Sequence, residues 1–494
     1  MKSTSLLYFL TSSLVILFLS ASASGQSFQR TIYHGPGTPQ DVLAADLNQD
    51  GKFDLLTTQA DGFGFIFLNR GNGIFPDGGT AMLNSNGFPA TRAVAADFNG
   101  DGITDVAIES CSSGGLTLLI LSGDADHNFH VTSGADNVPP QAASCTNAMA
   151  LIRIANDTLP SVMFSSLDTS ITIYRNDGTT PFPQKHQSVF GAPGKIFSGA
   201  SVGDFNGDHL QDIAAVSKNP SGGPEQVVIF YQNPDGSFQP PVTVFTSNAT
   251  LQFTQSVDFN DNQNNDLVVP FLGGPNKRAG VVALTNLGAG RFRSTVLLAD
   301  PLYTFAGQKA TAIRSHEKHD GVRGILVPFF PEPFTGDPVF AFFPAQGDTW
   351  GKPVYFDVPN GHGAQAVVTT DFNRDGRPDF AGVDSNNELL VFLNTTTEDT
   401  CAYPNHAGVR ICSPNSDSGA TDNSRTAKIH ASASGGALPI VGMKAFIDDK
   451  LVAESTMNTL DASVPAERGA HTLMVSASDL NGKIYQSRVG LHVR

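Results

Sequence analysis

Short apolar runs alternate with Gly-, Ser- and Asp-rich turns along most of the chain. The stretch between residues 92 and 131 shows the unit plainly. Arg92 to Ala96 is built of small residues, Val106 to Ile108 and Leu116 to Leu121 are apolar, and Asn128 to Val131 completes the set. Four such runs, each bounded by turn residues, predict four strands, with small side chains on the first suiting a crowded position. An acidic loop separates the first strand from the second.

That acidic loop recurs. Its positions 1, 3, 5, 7 and 9 are Asp46, Asn48, Asp50, Lys52 and Asp54 in the first copy and Asp97, Asn99, Asp101, Ile103 and Asp105 in the second. They are Asp204, Asn206, Asp208, Leu210 and Asp212, then Asp258, Asn260, Asn262, Asn264 and Asp266, and finally Asp371, Asn373, Asp375, Arg377 and Asp379. The starts lie 51, 107, 54 and 113 residues apart. Each long gap holds a degenerate copy, Arg153 to Ser161 and His316 to Gly324, giving seven units with a period of 51–58 residues. A period that long with four strands per unit predicts an all-β fold of propeller blades. Phe98, Phe205, Phe259 and Phe372, which follow the first Asp of their loops, are expected to pack between blades.

Oxygen donors at positions 1, 3, 5 and 9, with a backbone carbonyl at 7 and Gly at 6, suit a hard cation such as Ca²⁺. Nitrogen- or sulfur-preferring metals would call for His or Cys. Position 12 is Thr57, Ile108, Ala215 or Gly382 rather than a bidentate Glu, so the loop is no EF-hand. The loops at Asp46, Asp97 and Asp371 are complete. The Asp204 loop has His209 in place of Gly, and the Asp258 loop has Asn262 and Gln263 at positions 5 and 6. The Arg153 and His316 copies lack acids at positions 1 and 9 and are expected not to bind. A merely solvated acidic turn is the competing reading; five copies at fixed offsets count against it.

The Ala-Asp-Phe-Asn-Gly-Asp-Gly core at 96–102 resembles the FG-GAP/VCBS-type repeat family, known from integrin alpha-subunit propellers and exported bacterial proteins. The resemblance covers about residues 27–395 and implies a seven-bladed β-propeller over 26–395, with up to five Ca²⁺ ions held by the residues named above. The seventh unit lacks a clear fourth strand, and Phe28 to Tyr33 is expected to join it and close the ring, which removes two sheet edges.

Lys2, the apolar run Leu6–Leu19 and the small residues Ala21 to Gly25 read as a secretory signal peptide over 1–25, with an N-terminal anchor as the alternative. No later stretch reaches the length of a membrane span. The chain is thus expected to be secreted, extracellular or in the cell envelope. Four cysteines fit an oxidising compartment, with Cys111–Cys145 and Cys401–Cys412 as expected pairs. Residues 396–425 read as a Cys-containing linker, and the runs from Ala427 to Val493 as a small Ig-like β-sandwich over 426–494 without the Trp of antibody domains.

A net charge of −16 argues against nonspecific nucleic-acid binding. Gly199 to Gly203 matches G-x-S-x-G, but an acidic loop, not a helix, follows Ser201. His316 to His319 is not a zinc motif, and no acid pair is singled out for catalysis, so no enzyme is expected. The leading expectation is a binding or adhesion protein for a glycan or extracellular protein. An exported lyase or hydrolase acting on polysaccharide, and a structural envelope component, are the alternatives. Recognition is expected opposite the acidic loops, with Lys277, Arg278, Phe330 and Phe334 as contacts.

Overall fold

The computed structural model describes residues 17–19, 28–35, 37–59, 62–76, 79–84, 90–112, 115–126, 128–135, 148–165, 170–178, 182, 186–190, 195–260, 264–272, 279–298, 303–306, 311–314, 323–331, 339–346, 349–357, 364–384, 388–395, 407–413, 426–434, 440–456 and 458–493. The chain divides into two compact units, Met1–His316 with Val322–Thr395, and Glu317–Gly321 with Thr396–Arg494. Both are all-β, and no helix occurs among the described residues.

The first unit holds seven antiparallel sheets among its described residues. Sheet one is Pro39–Ala45, Asp54–Gln59, Phe63–Phe67 and Thr80–Asn84, and sheet two is Ala90–Ala96, Asp105–Ser112, Gly115–Gly123 and Phe129–Ala135. Sheet three runs Ala148–Ile152, Ser161–Ser165, Ser170–Tyr174 and His186–Phe190; sheet four runs Ile196–Gly203, Asp212–Lys218, Glu225–Phe230 and Val242–Ser247. In sheet five the first strand is split, Thr250–Leu251 and Gln255–Val257 both pairing with Asp266–Leu272, before Gly280–Asn286 and Phe292–Leu298. Sheet six is split likewise, Tyr303–Ala306 and Thr311–Arg314 pairing with Arg323–Pro331, which then pairs with Val339–Gln346 and that with Val354–Asp357. Sheet seven takes Ala364–Thr370, Asp379–Asp384 and Glu388–Asn394 from one end of the unit and Phe28–His34 from the other, in full register from Phe28↔Asn394 to His34↔Glu388. Leu17–Leu19, within the segment read as a signal peptide, adds to Phe28–Arg30.

Burial explains the strand compositions. Second and third strands such as Asp212–Lys218 and Gly280–Asn286 are buried along nearly their whole length, as their unbroken apolar runs require. Fourth strands such as Val242–Ser247 are largely exposed. The first strands of sheets one to five line one cavity of about 240 Å³, at Asp41, Arg92, Met149, Ser201 and Gln255 among others.

Each apolar cluster of the unit lies between consecutive sheets. Leu56 and Ile66 meet Val106 and Ile108, Phe98 and Ile120 meet Phe164 and Tyr174, and Met163 and Ile173 meet Phe197 and Phe230. Phe205 and Ile229 meet Val269 and Leu284, and Val281 meets Val327 and Phe343. Phe340 and Phe356 meet Phe380 and Phe392, and Val383 and Val391 of sheet seven meet Leu55 and Phe67 of sheet one. Phe98, Phe205, Phe259 and Phe372 are all buried in these clusters, as expected.

Two boundaries differ from the sequence reading. Phe330, expected in a recognition loop, lies in the strand Arg323–Pro331, because Tyr303–Ala306 pairs alongside it and extends the ladder. Lys277, Arg278 and Phe334 lie outside the described residues. The second difference is in the linker. Gly408–Ser413 is a strand on Thr426–Ser434, and Val409 and Ile411 pack against the core of the second unit.

That second unit has a three-stranded sheet, Gly408–Ser413, Thr426–Ser434 and Thr459–Pro465, and a four-stranded one, Lys450–Ser455, Ile440–Ile447, Gly469–Asp479 and Ile484–Val493. Ile429, Ala431 and Leu460 of the first face Met443, Leu473 and Val475 of the second in one core. Cys412 is disulfide-bonded. Cys145 and Cys401, and with them both expected pairings, fall outside the described residues.

Candidate metal-binding loops

The loops beginning at Asp46, Asp97, Asp204 and Asp371 share one backbone path. Position 4 is left-handed in each, at Gln49 (φ 56°), Gly100 (82°), Gly207 (87°) and Arg374 (60°). So is position 6, at Gly51 (78°), Gly102 (84°), His209 (68°) and Gly376 (83°). Only glycine enters that region without steric cost, which is why the repeat reads Gly at 6 and often at 4. His209→Gly is therefore expected to stabilise the protein by about 0.5–1 kcal/mol in a denaturant titration.

Side-chain oxygens hold the path. Position 1 accepts from the N–H of position 6, Asp46 Oδ2 from Gly51 at 2.8 Å and Asp97 Oδ2 from Gly102 at 2.9 Å. Asn48, Asn99, Asn206 and Asn373 accept through Oδ1 from the N–H of position 5, and through Nδ2 donate to its Oδ2. The other oxygen of position 5 accepts from the N–H of position 7, the backbone of Lys52, Ile103, Leu210 or Arg377.

Position 9 does something the sequence reading did not foresee. Asp54, Asp105, Asp212, Asp266 and Asp379 are each fully buried. One oxygen accepts from the N–H of position 2, at Leu47, Phe98, Phe205, Phe259 and Phe372. The other accepts from the residue at or just past the end of the third strand, at Asn69, Gly123, Gln232, Asn286 and Asn394. Burial pushes the Asp54 and Asp212 carboxyls up to about 6 and those of Asp266 and Asp379 up to about 7; the neighbouring loop carboxylates add to the rise, and the two N–H bonds oppose it. Asp105 is raised for the same reason. In the degenerate third loop Ser161 takes this place, its Oγ accepting from the Asn176 N–H at 2.9 Å.

A second set of residues was missed altogether. Asn69 Nδ2 donates to the Phe372 carbonyl, Asn176 Nδ2 to that of Phe98, Gln232 Nε2 to that of Arg153, and Asn286 Nδ2 to that of Phe205. Each joins one sheet to the loop of the sheet before it. The recurring amide after an apolar third strand was the available signal. Asn286→Ala leaves a buried carbonyl without its donor, and an unfolding titration is expected to show a loss of about 2 kcal/mol.

Cationic side chains enter three of the loops. Lys52 Nζ contacts Asp50 Oδ2 and donates to the Asn69 carbonyl at 3.3 Å. Arg377 donates to Asp375 Oδ2 at 2.7 Å and to the Asn394 carbonyl at 3.2 Å. In the third loop Arg175 grips Asp157 through both carboxylate oxygens, at 2.7 and 2.8 Å. Partial burial works against ionised Asp50, yet the Lys52 hydrogen bonds hold its carboxyl below the ordinary value. Arg374 reaches from its loop to the Gly51 carbonyl, and Gln49 Nε2 to the Gly102 carbonyl at 2.8 Å, so neighbouring loops are tied in series.

The donor set fits a hard cation. It is made of oxygens, and Asp46 Oδ1 is buried without a hydrogen-bond partner. No three His, Cys, Asp or Glu side chains gather as a metal cluster among the described residues. In the Asp258 loop, Asp258, Asn260 and Asn264 are placed, and Asn262 lies outside the described residues. So do residues 316–322 of the sixth copy.

Residues 46–108 match the family model of the FG-GAP-like repeat. No curated protein matches the chain. Among solved structures, BBS1N in complex with ARL6DN, soaked with mercury, is similar at 11% identity and a TM-score of 0.46, over 72% of this chain and 92% of that one. The same complex soaked with lead gives 12% and 0.44, over 73% and 93%. The fibronectin(III)-like modules of Clostridium thermocellum CbhA give 23% identity and a TM-score of 0.16, over 17% of this chain and 96% of theirs.

Proposed function

We propose that the first unit is a closed seven-bladed β-propeller, steadied by calcium in its acidic loops, and that it serves an exported protein in binding a glycan or an extracellular protein rather than in catalysis. The second unit is an Ig-like β-sandwich acting as a spacer. Closure is supported by the seven inter-sheet clusters, the last of which joins sheet seven to sheet one. The observation that carries the binding assignment is the commitment of the acidic loops to the backbone. Their oxygens hold turns and neighbouring sheets, which leaves recognition to the loops at the far ends of the strands.

A glycan array probed with the calcium-loaded mature protein tests this. Retention of a defined sugar class, weakened by Lys277→Ala and Arg278→Ala, is the expected result. Turnover of an arrayed polysaccharide, or binding that maps only to the second unit, contradicts it. Terminal sequencing of exported protein is expected to begin near residue 26.

A further inference from the structure

The acidic loops are not equivalent. At Asp46 and Asp371, position 7 carries a basic side chain that folds back onto the position-5 carboxylate and onto the carbonyl at or just past the end of the third strand. Lys52 spans Asp50 and Asn69, and Arg377 spans Asp375 and Asn394. The two bridges use the same pair of acceptors, although one cation is an ammonium and the other a guanidinium. The degenerate third loop reaches the same end differently, closing Asp157 with Arg175. Arg374 brings a further positive charge to the mouth of the Asp46 loop, at the Gly51 carbonyl.

Position 7 is apolar in the other two fully described loops, Ile103 and Leu210. The outward oxygens of Asp101 and Asp208 accept only the amides of Asn99 and Asn206, and neither carboxylate has an ion pair among the described residues. His209 stands 3.8 Å from Asp204 with its ring almost wholly exposed, a cation only when protonated.

We propose that Lys52 and Arg377 are resident counter-cations that compete with calcium in their loops, so that metal is held most tightly at the loops of Asp97 and Asp204. The inference rests on the calcium reading above and narrows it. A dication seated in the Asp46 or Asp371 loop competes for the position-5 oxygen and is repelled by the basic group beside it. In the Asp97 and Asp204 loops it meets carboxylates that no Lys or Arg side chain offsets among the described residues. The basic side chains are about a quarter exposed (28% for Lys52, 27% for Arg377), so solvent screens the effect without abolishing it.

Equilibrium dialysis of the full mature chain at pH 8, with bound calcium counted by elemental analysis, tests the assignment. Two double variants are compared with the wild type, Lys52→Met with Arg377→Met, and Ile103→Lys with Leu210→Lys. The Asp258 loop is untouched in all three, so its contribution cancels. The first variant is expected to bind about two more ions, or to bind them at least about five-fold more tightly, and the second to lose about two. An isotherm of the first that superimposes on the wild type overturns the proposal, as does full calcium retention by the second. If one variant does not fold, the other decides. No bound calcium in the wild type or either variant overturns the calcium reading itself, and this assignment with it.

Discussion

Asp379→Ala is expected to lower the unfolding free energy by about 3–4 kcal/mol, because it strands the buried N–H groups of Phe372 and Asn394. The estimate takes the usual cost of a buried unsatisfied donor twice and discounts for local relaxation. Asp379→Asn tests the mechanism, since its amide can accept one of the two N–H groups but presents a donor to the other. It is expected to recover little. Asp212→Ser imitates Ser161 of the third loop, which satisfies the N–H after the third strand, and is expected to cost less than Asp212→Ala. Denaturant titrations read all four. An Asp379→Ala variant within about 1 kcal/mol of the wild type would remove position 9 from its architectural role.

The second large effect links pH and calcium. The folded-state carboxyls of Asp54 and Asp212 sit at about 6 and those of Asp266 and Asp379 at about 7, all raised from 3.8. Between those values the folded chain binds more protons than the unfolded one, so stability rises as pH falls from 7.5 towards 4.5 and is lost as pH rises through 6 to 7. The metal-free protein is expected to gain about 3 kcal/mol or more on going from pH 7.5 to 5, the opposite of ordinary acid sensitivity. Asp124, held down to about 2, acts in the usual sense, but its window lies below 3.8. Bound calcium favours the ionised loops, so it should flatten this slope and raise the thermal midpoint most at pH 7.5, by about 5 °C or more at saturation. Calorimetry in chelator and in calcium at pH 5 and 7.5 decides. A metal-free midpoint that falls towards pH 5, or an unchanged midpoint with calcium at pH 7.5, counts against the account.

Much of the first unit could be read from its repeat. The loop starts, the small first strands, the inter-sheet phenylalanines and the pairing of Phe28–His34 with the last sheet all follow from period and composition. The role of position 9 could not. An Asp at the end of an acidic loop reads as a ligand, and only the fold shows that both of its oxygens also accept backbone N–H groups. The Asn and Gln amides after the third strands repeat visibly, yet their partners lie in the preceding unit, beyond any local pattern. Gly408–Ser413 was hidden because polar Thr, Asn and Asp around it outweigh the alternation of Val409 and Ile411.

The pairing of Phe28–His34 with Glu388–Asn394 also sets the order in which the protein can finish folding. The first of these strands emerges early and the second only when the whole unit has been made, so the contact that seals the last sheet carries the greatest loop-closure cost in the unit. Until then Glu388–Asn394, almost wholly apolar and buried in the finished fold, offers an open sheet edge to any other chain. Crowding around the unfinished chain, rather than the stability of the finished molecule, becomes the hazard this architecture has to survive.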